Sequence, residues 1–144
     1  MTRYDSEPDY ASLAQFRFQI RTFLKKSELA ALAVGLEPQQ HQMLLSVKGL
    51  RADEVPTIGC IADRLLLKHH SAVELIDRCE RAGLVVREQD AGDHRRVLVR
   101  LTEAGEGLLL KLSQVHEEEL TLLAPHLIEA LEAILSSRSA GTPR

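Results

Sequence analysis

Eight residues, DAGDHRRV from Asp90 to Val97, hold one glycine, two aspartates, a histidine and two adjacent arginines. They separate LVVREQ from VLVRLT, two stretches that read as strands; Val97, Val99 and Leu101 alternate with Leu98 and Arg100, the period of a half-buried strand. Charge is thus concentrated at the tip of a hairpin. Such a tip is either a solvated turn or a probe for something anionic, with His94, Arg95 and Arg96 as its cations. Asp93 stands two residues before Arg95 and can hold that guanidinium in a fixed direction, lowering the cost of ordering it on a ligand. A second cluster, Lys68, His69, His70 and Ser71, stands at the start of a helix. Unpaired N–H groups and the positive end of the dipole favour phosphate there. Arg78 is a further cation on the same helix.

Other groups point to less. His69 and His70 are adjacent, about 100° apart on a helix, so they do not share a face and make a poor metal pair. His41, His116 and His126, with Glu117, Glu118 and Glu119, read as solvated surface, because nothing in the spacing fixes their mutual distance. Cys60 and Cys79 lack C-x-x-C spacing and fall on or beside apolar helix stripes, where cysteine behaves as a small hydrophobe; redox sensing is the alternative. The sequence carries no nucleophile–base pair, Gly-rich phosphate loop or H-E-x-x-H pattern, so there is no positive case for an enzyme, a cofactor or a bound metal.

The elements that position these residues follow from periodicity. Leu13, Phe16, Ile20, Phe23 and Leu24 recur at helical spacing in DYASLAQFRFQIRTFLKKSELAAL, which Gly35 closes. Pro38 suits the first turn of a second helix, with Met43, Leu44 and Val47 inward. RADEVP is a connector. Thr57 caps a short helix with Ile58, Ile61, Ala62 and Leu65 as its stripe. After a tight turn, HHSAVELIDRCERAG forms another helix on Ala72, Leu75, Ile76 and Cys79, ending at a left-handed Gly83. Thr102 caps the helix after the hairpin, Pro125 breaks it, HLIEALEAILSSR makes a last helix, and SAGTPR frays. Gly105 and Gly107 either permit close backbone packing or mark a ragged helix start. The fold class is mainly α with a small β-hairpin wing (α+β): a helix-turn-helix followed by a two-stranded wing, over approximately 36–101, with helical regions over approximately 9–34 and 102–138 in one domain of 144 residues. In such a lobe the second helix enters the DNA major groove, and a wing arginine suits a narrow minor groove.

Composition is compatible with this. Hydrophobic residues make up 44% and charged residues 27%, as in a soluble globular domain. No apolar run approaches the roughly 20 residues of a membrane span. MTRYDSEPDY is polar, unlike a signal peptide, so a cytoplasmic protein with reduced thiols is expected. The net charge of -3 hides a split. From Thr57 to Thr102 there are eight Lys+Arg against seven Asp+Glu, whereas Glu103 to Leu135 holds seven Glu and one Lys. Glu74 and Asp77 fall on the outward helix face, where they are expected to orient Arg78 and Arg81.

TIGCIADRLLLKHHSAVELIDRCERAGLVVREQDAGDHRRVLVRLTEAGEGLL resembles the MarR family of winged-helix regulators. The resemblance rests on LIDRCERAGLV, the D-x-R of Asp93 and Arg95, and VLVRLTEAG, with LEPQQHQMLL similar to that family's second helix. It covers roughly Leu32 to Leu110. It implies a transcription regulator that binds a palindromic double-stranded DNA operator as a homodimer, joined through its N- and C-terminal helices. It also implies release by a small anionic or phenolic ligand, an oxidant or a metal. A pocket for a small aromatic carboxylate is expected near Phe16, Arg17, Ile20, His41, Met43 and Leu109. Oxidant-sensing relatives tend to carry their reactive cysteine in the N-terminal helix, where this chain has none. The rival reading is a winged-helix module for protein–protein assembly, since fold does not dictate function.

Overall fold

Local capping chemistry sets most helix boundaries. In the computed structural model, which describes residues 7–139, the order is α1 Tyr10–Ala33, α2 Pro38–Lys48, α3 Ile58–Leu65, α4 His69–Arg81, β1 Val85–Gln89, β2 Val97–Leu101 and α5 Glu103–Ser139. Thr57 accepts the Cys60 amide at 3.1 Å, and Thr102 accepts the Gly105 amide at 3.1 Å. Each side chain satisfies one of the amide groups that a helix start leaves without a partner. Pro38 opens α2, where its missing N–H costs nothing. Gly35 (φ +81°) and Gly83 (φ +74°) follow α1 and α4 in the left-handed region, which glycine enters without steric cost. Apart from Ser139, the expected fraying tail lies outside the described residues, as do the first six residues.

The described residues divide into two compact units, 28–114 and 7–27 with 115–139. The first is the winged-helix lobe. Its core joins Met43 and Leu44 of α2, Ile61 of α3, Leu75, Ile76 and Cys79 of α4, Leu84, Val85, Val99, and Leu109 and Leu112 of α5. β1 and β2 pair antiparallel from Val85↔Leu101 to Gln89↔Val97. The connector before α3 does more than link: Thr57 bridges Leu98, and the Val99 amide donates to the Pro56 carbonyl at 2.9 Å. β2 therefore has backbone partners on both sides.

In the second unit, Phe23 and His116 meet edge to face with centroids 6.0 Å apart, and Ala130 is buried. Much apolar surface stays open, including Leu13, Phe18, Leu122, Ile128, Leu131 and Leu135.

Three expectations are corrected. Pro125 does not divide the C-terminal region; α5 runs through it as one 37-residue helix. Proline removes one backbone bond, but helix is cooperative and long stretches continue on both sides, so the loss of that bond does not end the helix. With no break, α5 contains an 18-residue window of mean hydropathy 1.3, 6% of it buried, long and apolar enough by length and composition to cross a membrane. Finally, His41 and His116 are buried, not solvated, because each falls on the inward stripe of its helix.

Candidate nucleic-acid interface

α4 buries Ala72, Leu75, Ile76 and Cys79. At 100° per residue the opposite face carries His70, Glu74, Asp77 and Arg81. Lys68 takes the cap position with extended backbone (φ -67°, ψ 152°), and no side chain caps the helix start. Lys68, His69 and His70 are exposed and Ser71 is half-buried. The helix therefore begins with uncapped amides among one cation, two imidazoles and a hydroxyl, a composition suited to phosphate.

The carboxylates of this helix are used differently from the sequence expectation. Arg78 is oriented from the cap of α2, its Nε donating to Glu37 Oε2 at 3.1 Å. Asp77 accepts from Arg87 Nη2 on β1, and Glu80 accepts from Arg87 Nη1 at 3.0 Å and from the Arg87 amide at 3.1 Å. The partner of Asp77 is thus an arginine of the wing, not Arg78 or Arg81. One guanidinium fork joins the end of α4 to the first wing strand. Burial works against charge on Arg87, and the two carboxylates more than offset it, so its pKa is raised.

The wing tip brings Asp93 and Arg95 together as the sequence suggests. Asp93 Oδ1 accepts from the Arg95 amide at 3.0 Å and from its Nε at 3.3 Å. The Arg95 side chain is nevertheless 92% exposed. Arg96 turns inward instead, donating from Nε (3.0 Å) and Nη2 (2.6 Å) to Asp90 Oδ2. The Gly92 amide and then Arg96 hold the Asp90 carboxyl below its usual range. His94 is exposed, and its carbonyl accepts from Gln89 Nε2 at 2.8 Å. The Asp90–Arg96 pair escapes a residue-by-residue reading. Its signal is register: positions 90 and 96 follow the last strand pair, Gln89↔Val97.

The remaining expected residues fall in both units. Phe16, Arg17 and Ile20 line a shallow groove of about 420 Å³ with Leu13 and Arg21. His41 and Met43 are packed in the lobe core. Leu109 lines a cleft of about 560 Å³ with Leu45, Lys48, Glu106 and Leu110. Burial pushes the Cys79 thiol up to about 12, so it stays protonated at neutral pH and is a poor nucleophile. Among the described residues, no group of three or more His, Cys, Asp or Glu is placed to hold a metal.

A profile of the MarR family matches residues 34–96. The uncharacterized HTH-type transcriptional regulator YcgE of Bacillus subtilis (strain 168) is 34% identical over 110 residues, covering 76% of this chain and 70% of that protein. YkoM of the same organism, also an uncharacterized HTH-type transcriptional regulator, is 43% identical over 56 residues, 39% of this chain and 36% of that protein. The crystal structure of the S. aureus MepR–DNA complex is similar in fold, with a TM-score of 0.67 at 24% identity over 94% of this chain and 100% of that one. The profile match across the helix-turn-helix and the wing as far as Arg96, with the 34% identity to YcgE over 110 residues, places this chain in the MarR family of transcriptional regulators.

Proposed function

We propose that the chain is a cytoplasmic, ligand-responsive repressor that binds a palindromic double-stranded DNA operator as a homodimer. In this reading α4 enters the major groove, with Lys68, His69, His70 and Ser71 on phosphates and base edges. Arg95 enters the adjacent minor groove, where its charge is attracted by the negative potential. The observation that carries it is Arg95 itself, almost fully exposed and already aimed by Asp93. The solved complex of MepR with DNA supports the same use of this fold.

The open apolar residues of α1 and α5 support a homodimer. Leu13, Ile128, Leu131 and Leu135 are costly to leave in water, and a second copy of the same face covers them in an obligate interface. Glu129 and Glu132, within the apolar part of α5, count against hydrocarbon as the alternative cover. The cleft beside Leu109 is of a size that suits a small molecule. Lys48, which donates to Glu106 at 2.9 Å on its edge, can exchange that carboxylate for the carboxylate of a small aromatic acid.

The test is fluorescence anisotropy with duplexes from the DNA upstream of the chain's own coding sequence, at fixed salt, with and without salicylate. Tight binding to one palindromic duplex, two chains per duplex and weaker binding with salicylate are expected. Equal affinity for that duplex and its scrambled version would sink the operator reading. A stable monomer at micromolar concentration in sedimentation would sink the dimer.

A further inference from the structure

Arg95 and Arg96 are neighbours with opposite surroundings. Arg95 is held at one side-chain nitrogen, 3.3 Å from Asp93, and is 92% exposed. Arg96 gives Nε and Nη2 to a single oxygen of Asp90, at 3.0 and 2.6 Å, and is 46% exposed. Asp90 is 15% exposed. Its second oxygen accepts the Gly92 amide at 3.0 Å, its amide donates to the Arg96 carbonyl at 3.0 Å, and the Arg96 amide donates to the Asp93 carbonyl at 3.0 Å. Two residues thus close the neck of the tip through side chains and backbone together, one step beyond the last strand pair.

We infer that Arg96 is a positioning residue and not a DNA contact: with Asp90 it clamps the neck of the wing, so that the Asp93–Arg95 pair is presented in one orientation. The inference rests on the DNA-binding reading above. A phosphate competing for Arg96 would have to displace a carboxylate that remains beside it and repels it. Arg96 therefore adds little attraction for DNA, while the loop it closes fixes the direction in which Arg95 leaves the hairpin. Ordering that loop before binding removes an entropy cost from association.

The experiment is a set of DNA titrations across a range of KCl concentrations, on wild type, Arg95→Ala, Arg96→Ala, Asp90→Asn, the double variant Asp90→Asn/Arg96→Ala and the exchanged pair Asp90→Arg/Arg96→Asp. Circular dichroism confirms that each is folded. Arg96→Ala and Asp90→Asn are each expected to weaken binding about three- to tenfold, the range for ordering one side chain or loop on association. Arg96→Ala should leave the slope of log affinity against log salt at the wild-type value. The double variant should be no weaker than either single one, as for two residues acting as a unit. The exchanged pair should recover most of the affinity, which a lost Arg96–phosphate contact could not do.

A salt slope shallower by about 0.9 in Arg96→Ala, the value for one released phosphate contact, overturns the clamp. So does an exchanged pair weaker than Arg96→Ala. A wild-type chain that binds no duplex removes the DNA-binding reading on which the clamp rests. Wild-type binding with a shallower Arg96→Ala slope removes only the clamp.

Discussion

Gly105 of α5 passes so close to Leu84 that a Cβ at position 105 would clash with the Leu84 carbonyl oxygen. That carbonyl also accepts the Thr102 amide at 2.9 Å, and the Thr102 hydroxyl donates to the Gly83 carbonyl at 2.6 Å. The start of α5 is thus bonded to the turn that ends α4. The two glycines near this start have different causes. A Cβ at Gly107 meets nothing within 4 Å.

Substituting these two glycines should therefore give opposite signs. Gly105→Ala forces backbone apart and should destabilise by about 1–3 kcal/mol, the usual cost of overpacking. Gly107→Ala should stabilise by up to about 1 kcal/mol through helix propensity alone. Urea unfolding of both variants checks this, and equal effects would show that the approach at Leu84 is not tight.

Arg95→Ala should weaken operator binding by about 1–3 kcal/mol, the scale of one good groove contact. The thermal midpoint should stay within a degree or two of wild type, since surface substitutions usually change stability little. Titration at matched salt, beside a melting curve, separates the two. Wild-type affinity in the variant would place the DNA contact elsewhere on the lobe.

Leu66 joins α3 to α4 with φ 56° and ψ 38°, the left-handed region, and is 92% exposed. It is the one non-glycine with positive φ among the described residues. The left-handed conformation costs an L-residue roughly 1–2 kcal/mol, and this leucine buries almost nothing in return. Leu66→Gly should raise stability by about 1 kcal/mol. Unchanged or lowered stability in urea would mean that the leucine is held by packing.

Glu54 receives Arg64, the Arg51 amide and Arg51 Nε on one oxygen. Arg64 first, then the Arg51 amide, lower its pKa from 4.5 to about 2. A carboxylate more acidic in the folded state contributes stability above its unfolded pKa and loses it as pH falls through the folded value. Its contribution should therefore be fully present above pH 4.5 and fade toward pH 2. Glu54→Gln should lower stability at pH 6, with the gap to wild type closing across that window. A gap that persists unchanged at pH 2 would assign the effect to something other than this ionisation.

The legible parts of the fold were those fixed by a few neighbouring residues. Thr57, Gly83 and the stripe from Ala72 to Cys79 act within one or two turns, so the chain spells out α3, α4 and the break before the wing. The Asp93–Arg95 pair, two residues apart, was legible for the same reason. What escaped needed longer range. Pro125 reads locally as a break, and only the cooperativity of a long helix overrides it. Asp77 finds Arg87 ten residues on, Arg78 finds Glu37 at the cap of α2, and Asp90 finds Arg96 across a hairpin whose register had first to be known.

The Arg87 fork has a consequence for exchanging specificity between lobes of this kind. α4 and β1 are separate elements, yet Asp77, Glu80 and Arg87 are complete only together. A graft of α4 alone brings two carboxylates into a host without their guanidinium and adds bare negative charge where DNA is expected to approach. The transferable cassette is therefore His69 to Gln89, helix and first strand as one piece. Variation that respects this boundary can alter His70 and Glu74 on the outward face and leave the ion-paired seam intact.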